Sequence, residues 1–112
     1  MDKIKNYKKI VQRVLEERAA KRLGNSPGAI GHLVMDKEKN EFVLLWVGWS
    51  GDDYTHGLMF HVGIKDGKVR VYEDRTDIDI ADVLSKAGIP KSEIVLEFVA
   101  PNARDLSGFA TA

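Results

Sequence analysis

The chain contains no cysteine, which excludes disulfides, thiolate metal ligands and a cysteine nucleophile together. Proline occurs only three times, at Pro27, Pro90 and Pro101, each beyond a periodic apolar stretch rather than inside one. No apolar run approaches the roughly 18–20 residues that a membrane span needs. The opening residues MDKIKNYKKIVQ have neither the apolar centre nor the small-residue cleavage site of a secretory leader, so a cytoplasmic location is the expectation. Charge of one sign is also lacking. Seventeen basic and seventeen acidic residues cancel, which argues against coating nucleic acid through bulk electrostatics. What is present is ordinary for a globular protein: 44% hydrophobic and 30% charged residues over 112 positions, enough for one domain, residues 1–112, with one modest core.

The balanced charge is unevenly placed. Residues 1–23 carry eight basic side chains against Asp2, Glu16 and Glu17, a net +5, and the remainder is correspondingly net −5. A solvated helix face accounts for this pattern. The alternative is a basic arm in which Lys5, Lys8, Lys9 and Arg13 contact phosphate.

Apolar spacing predicts the elements. Asp2 can cap a helix reaching about Arg22, with Ile4, Tyr7, Ile10, Val11, Val14, Leu15 and Arg18 with Ala19 on one stripe. Gly24-Asn25-Ser26-Pro27-Gly28 stops it. Strands are expected over Ala29–Met35, Glu41–Trp49, Tyr54–Ile64 and Val69–Tyr72, joined by short polar turns. The second is apolar on both faces, which suggests a central position. Asp66-Gly67 is a strong signal for a type I′ hairpin, because both turn positions need positive φ. Thr76-Asp77-Ile78-Asp79 has the form of a helix cap with an acidic residue three positions on. Ile80, Val83, Leu84 and Ala87 then form an apolar stripe ending at Gly88. Glu93–Val99 is strand or extended, with one helical turn around Ser92 as the alternative, and Pro101 opens a tail. The expected fold is α+β: an N-terminal helix, a four-stranded antiparallel meander, a second helix and an extended C-terminal segment, arranged as a two-layer α/β sandwich.

Few residues invite chemistry. Strict alternation puts Tyr54, His56, Leu58, Phe60, Val62 and Ile64 on one face of the third strand, with Thr55, Gly57, Met59, His61 and Gly63 on the other. His56 and His61 then point apart and cannot share a metal ion without a bulge, and His32 brings no carboxylate at ligand spacing. Asp66-Gly67-Lys68, with Asp52 or Asp53 upstream, matches the short acidic-x-Lys pattern of metal-dependent nucleases. The hairpin turn explains the same residues better. No serine sits in a Gly-x-Ser-x-Gly elbow. Gly48-Trp49-Ser50-Gly51 lacks the spacing of a phosphate loop, and the acidic residues from Glu73 to Asp82 miss the calcium-loop pattern. No catalytic residue, metal site or cofactor is assigned, and the expectation is a protein that is not an enzyme.

Trp46 and Trp49 differ by three positions, so a strand turns them to opposite faces. One enters the core while the other stays on the outer face with Met59. Left uncovered, that face is a partner surface built on Trp49, Met59 and His61, and it would suit a homodimer. The alternative is that a terminal segment covers it.

The ordered set Val47-Gly48-Trp49, Gly57, Phe60-His61, Ile64-Lys65-Asp66-Gly67-Lys68-Val69, Asp74-Arg75-Thr76-Asp77, Ile80-Ala81, Gly88-Ile89-Pro90, Ile94-Val95-Leu96, Phe98, Ala100-Pro101 and Phe109-Ala110 resembles the XisI-like family, named for the fdxN element excision controlling factor. The resemblance runs nearly end to end, from Met1-Asp2-Lys3 and Tyr7 to the closing Phe-Ala-x-Ala. It departs at Glu73-Asp74-Arg75-Thr76-Asp77, where a His-Asp-Gly-Thr-Glu pattern is expected. It departs again at Glu97-Phe98-Val99, where a small residue and Phe-His are expected. The resemblance implies a small bacterial protein that acts with a companion, XisH, so that a recombinase can excise a DNA element during cell differentiation. It implies an accessory role, with any chemistry in the companion, whose fold resembles a nuclease. Protein–protein contact with an XisH-like partner is the leading expectation. Direct DNA binding through the basic helix and restraint of a nuclease-like partner are the alternatives.

Overall fold

A computed structural model describes residues 2–21, 27–36, 38–75 and 79–112. The first helix, α1 (Asp2–Ala19), follows the apolar stripe. Tyr7, Ile10, Val11, Val14 and Leu15 are buried, while Lys5, Lys9 and Arg13 face solvent. Its last turn tightens, with Lys21 N–H donating to the Arg18 carbonyl at 3.1 Å, the i→i+3 closure common at helix ends. The expected Gly24–Ser26 part of the stop lies outside the described residues, as does the side chain of Asp2 proposed as the cap.

The strands are β1 (Ile30–Asp36), β2 (Glu41–Ser50), β3 (Asp53–Lys65), β4 (Lys68–Asp74) and β5 (Ile94–Leu96). They form one sheet in the order β1-β2-β3-β4-β5. The first four are the expected antiparallel meander. β5 joins β4 in parallel, pairing Val69 with Ile94 and Val71 with Leu96, so the sheet is mixed and has five strands rather than four. That reversal follows from the connection: α2 (Ile80–Lys86) crosses between β4 and β5, and a crossover helix returns the chain in the same direction.

Turn chemistry matches backbone geometry closely. Asp66 and Gly67 both take positive φ, 55° and 78°, as a type I′ turn demands. Asp36 opens the β1–β2 turn by accepting the N–H groups of Glu38 and Lys39 at 3.1 Å each. At α2 the observed N-cap is Asp79, whose carboxylate accepts Asp82 N–H at 3.2 Å. Asp74 adds a second acceptor, taking Ile80 N–H at 2.9 Å. Residues 76–78 of the expected cap lie outside the described residues. Gly88 (φ 125°) ends α2, and Ile89 N–H reaches back to the Leu84 carbonyl at 3.2 Å while Gly88 N–H reaches the Ser85 carbonyl at 3.1 Å, the Schellman pattern of bonds that a positive-φ glycine permits.

Both helices lie on one face of the sheet. Phe42, Leu44, Phe60, Val62, Ile64, Val69 and Val71 point toward them and form one core with Tyr7, Val11, Leu15, Ile80, Leu84 and Ile89. Each fully buried aliphatic or aromatic side chain there contributes about 1.5–3 kcal/mol. Trp46 is buried on the same side, between Gly31 and Gly57 of the flanking strands. A Cβ at Gly31 would stand 2.5 Å from Ala19 Cα, so a glycine there allows the end of α1 to cross the sheet.

Candidate partner surface

Among the described residues, the opposite face of the sheet is open over β1, β2 and the first half of β3. Trp49 is 63% exposed and Tyr54, its cross-strand neighbour, 54%. Their rings are 5.0 Å apart, and His56 stacks on Tyr54 at 6.4 Å. Ile30 and Val34 of β1, each 55% exposed, sit on this face opposite Val47 and Val43. The C-terminal segment does fold back, but beside β5: Ala110 bridges Val95 and its N–H donates to the Ile94 carbonyl at 2.8 Å. The aromatic end stays uncovered among the described residues.

The apolar outer side of β2, read in sequence as a sign of a central strand, is therefore a surface. β2 does lie between β1 and β3, yet only Phe42, Leu44 and Trp46 are buried along it. The two tryptophans separate as their spacing requires, Trp46 inward and Trp49 outward.

A β-bulge changes the rest of the expected alternation. The β2–β3 register steps from Leu44↔Phe60 to Leu45↔Leu58, leaving Met59 without an opposite residue. An extra residue in one strand inverts side-chain parity beyond it. Met59 therefore packs against the core, and its Cε lies 3.9 Å from where a Gly57 Cβ would be. This corrects the placement of Met59 beside Trp49. Tyr54, His56 and Leu58 move to the outer face, opposite Trp49, Val47 and Leu45. The separation of His56 from His61 is corrected for the same reason: both lie on the outer face, opposite Val47 and Val43. Among the described residues no three His, Asp or Glu side chains gather as metal ligands would.

His61 belongs to the far, polar end of this face. It lies six residues along β2 from Trp49, about 20 Å at strand rise. Its Nε2 is 2.8 Å from Glu41 Oε1, and its ring lies 4.6 Å from that of Tyr72. Gly63 makes this packing feasible, because a Cβ there would meet Tyr72 Cε2 at 2.8 Å and the Glu41 carboxylate at 3.1 Å. Burial, then the Glu41 and Glu97 carboxylates, raise the Tyr72 phenol above its ordinary value, and Arg70 opposes them. Arg70 pairs with Glu97 at 2.7 Å. Glu97 also lies 3.4 Å from Arg104, which is only 8% exposed. Arg104 donates further to the carbonyls of Val99 at 2.8 Å and Thr111 at 3.3 Å. Sequence reading missed this tail clasp, because its acceptors are mostly backbone atoms of an irregular segment.

On the other side of the molecule, Lys5, Lys9 and Arg13 form an exposed i, i+4 stripe on α1, and Lys8 is half-buried beside it. The nuclease-like Asp66-Gly67-Lys68 is the β3–β4 turn itself. Its Asp66 carboxylate is largely exposed and lies 3.9 Å from Arg70. No described helix is long and apolar enough to cross a membrane.

Comparison with known proteins fits this architecture. A XisI-like protein from Anabaena variabilis ATCC 29413 superposes with a TM-score of 0.83 at 29% identity, covering 96% of this chain and 97% of its own. The fdxN element excision controlling factor XisI from the same organism gives 0.76 at 28% identity, covering 98% and 99%. No curated protein matches the chain. The family model described as XisI protein matches residues 1–111, and with that coverage the chain belongs to the XisI family.

Proposed function

We propose that this protein is a non-enzymatic controlling factor for excision of a DNA element and acts by protein–protein contact with an XisH-like companion. Membership of a family that includes a fdxN element excision controlling factor supports the excision role. The observation that carries the contact mechanism is the exposed Trp49–Tyr54 pair within an open, largely apolar sheet face. Aromatic side chains at the centre of such a patch supply most of an interface's binding energy. In this reading the companion covers Trp49, Tyr54 and Leu58, and the polar His61–Glu41 end forms the rim. Met59 is not a contact, since it faces the core. The work takes place in the cytoplasm, beside the element to be excised.

Co-purification of tagged protein with the companion tests this. Trp49→Ser and Tyr54→Ser should each weaken capture more than tenfold. Full capture by the double variant would sink the proposal.

The basic stripe supports a second reading, in which Lys5, Lys8, Lys9 and Arg13 contact phosphate. Mobility shift at moderate salt separates the two. Binding of a DNA element by this protein alone, lost on replacing those residues with alanine, favours direct contact. A shift only with the companion present favours the first reading.

A further inference from the structure

We infer that β1 is a self-pairing edge, through which a second copy of this chain extends the sheet across a two-fold axis. The two edges of the sheet differ. The β5 edge is partly occupied by Ala110, whereas no described strand lies beyond β1. An antiparallel strand turns alternate N–H and C=O pairs away from its neighbour, so this seven-residue edge presents a row of donors and acceptors that no strand among the described residues meets. Soluble proteins ordinarily protect such an edge with lysine, proline, a bulge or shortness. β1 has none of these. Its sequence, IGHLVMD, contains no lysine, arginine or proline, and its register with β2 is unbroken over all seven residues.

Pairing the strand with itself also brings no like charges together. With Leu33 opposite its own copy, His32 meets Val34 and Ile30 meets Asp36, so the only fixed charge in the strand never faces a like charge. Even-numbered residues stay together on the outer face, where Ile30 and Val34 are each 55% exposed and would pack across the axis. Symmetric contacts of this isologous kind are the commonest route to a closed dimer. The pairing leaves Trp49 and Tyr54 uncovered, so the dimer presents two copies of the aromatic surface on one ten-stranded sheet.

Sedimentation equilibrium of the chain alone tests the inference independently of any companion. The expected mass is twice 12.5 kDa. Val34→Lys should raise the dimer dissociation constant at least tenfold, while Trp49→Lys should leave it within twofold. Because the chain has no cysteine, a His32→Cys, Val34→Cys double variant provides a second measurement. Directly opposed antiparallel residues lie within disulfide range, so oxidation should give a covalent dimer, even if Val34→Lys proves unstable. A monomeric wild type, a dimer lost in Trp49→Lys, or no covalent dimer on oxidation would overturn the inference.

Discussion

Tyr7 shows how much one side chain can connect. Its hydroxyl donates to Glu93 at 2.9 Å, and the same carboxylate oxygen accepts Lys3 at 2.7 Å, so the start of α1 is tied to the segment before β5. Burial first, then the Glu93 hydrogen bond, push the phenol up to about 12 from an ordinary value of 10.0. The folded chain thus holds this proton more tightly than the unfolded one. Its stabilising contribution is complete below pH 10 and is lost as pH climbs toward about 12. Tyr7→Phe should flatten that alkaline decline in urea-midpoint measurements, at a cost of about 1 kcal/mol near neutrality. Glu93 behaves oppositely. Lys3 and then Tyr7 lower its pKa, so its contribution is present at neutral pH and fades through the acidic carboxylate range. Arg104 is the buried counterpart: Arg104→Met should destabilise by about 1.5–3 kcal/mol, seen as a lower thermal midpoint. Arg104→Lys should not restore it, because one ammonium cannot serve acceptors spread around a planar fork.

Among the elements, turns and caps were the most legible in sequence. Asp66-Gly67 predicted its own backbone angles, because few residue pairs tolerate two positive φ values in succession. Gly67→Val should cost about 1 kcal/mol or more, since a β-branched residue resists that conformation, and chemical denaturation would register it. Asp79→Ala should cost about 1 kcal/mol by removing the cap of α2. The bulge at Met59 was not legible. Alternation along β3 can be read residue by residue, but a bulge is a relation between two strands. Nothing in Leu58-Met59-Phe60 announces that Leu45 and Leu44 will sit opposite the first and the third. β5 fell inside the expected Glu93–Val99 stretch, but its parallel pairing with β4 was not legible, because its direction depends on where α2 returns the chain.

For the whole molecule, the two-layer arrangement separates its chemistry by side. The helices cover one face of the sheet and carry the basic stripe on their solvent side. The other face, toward β1 and Trp49, is apolar and open. Substitutions on the two sides should therefore have separable effects. Trp49→Ser should leave the thermal midpoint within about 2 °C, because a surface change is usually worth no more than about 0.5 kcal/mol, while capture of the companion falls more than tenfold. Alanine at Lys5, Lys9 and Arg13 should weaken any nucleic-acid binding and flatten its salt dependence, while leaving capture of the companion unchanged. A variant of either face that lost both properties together would argue against this division.

Sequence alone determined the features that depend on neighbours along the chain. Helical spacing identified α1 and α2, alternation and turn residues identified the four meander strands, and the opposition of Trp46 to Trp49 followed from a spacing of three without an intervening bulge. The ordered motifs likewise carried the family resemblance. Tertiary structure decided what depends on partners distant in sequence. The bulge sent Met59 inward and Tyr54 and His56 outward, β5 added a parallel edge, and the C-terminal segment folded beside β5 instead of across Trp49. Side-chain parity is a local rule only while strands stay in register, and coverage of a face is never local.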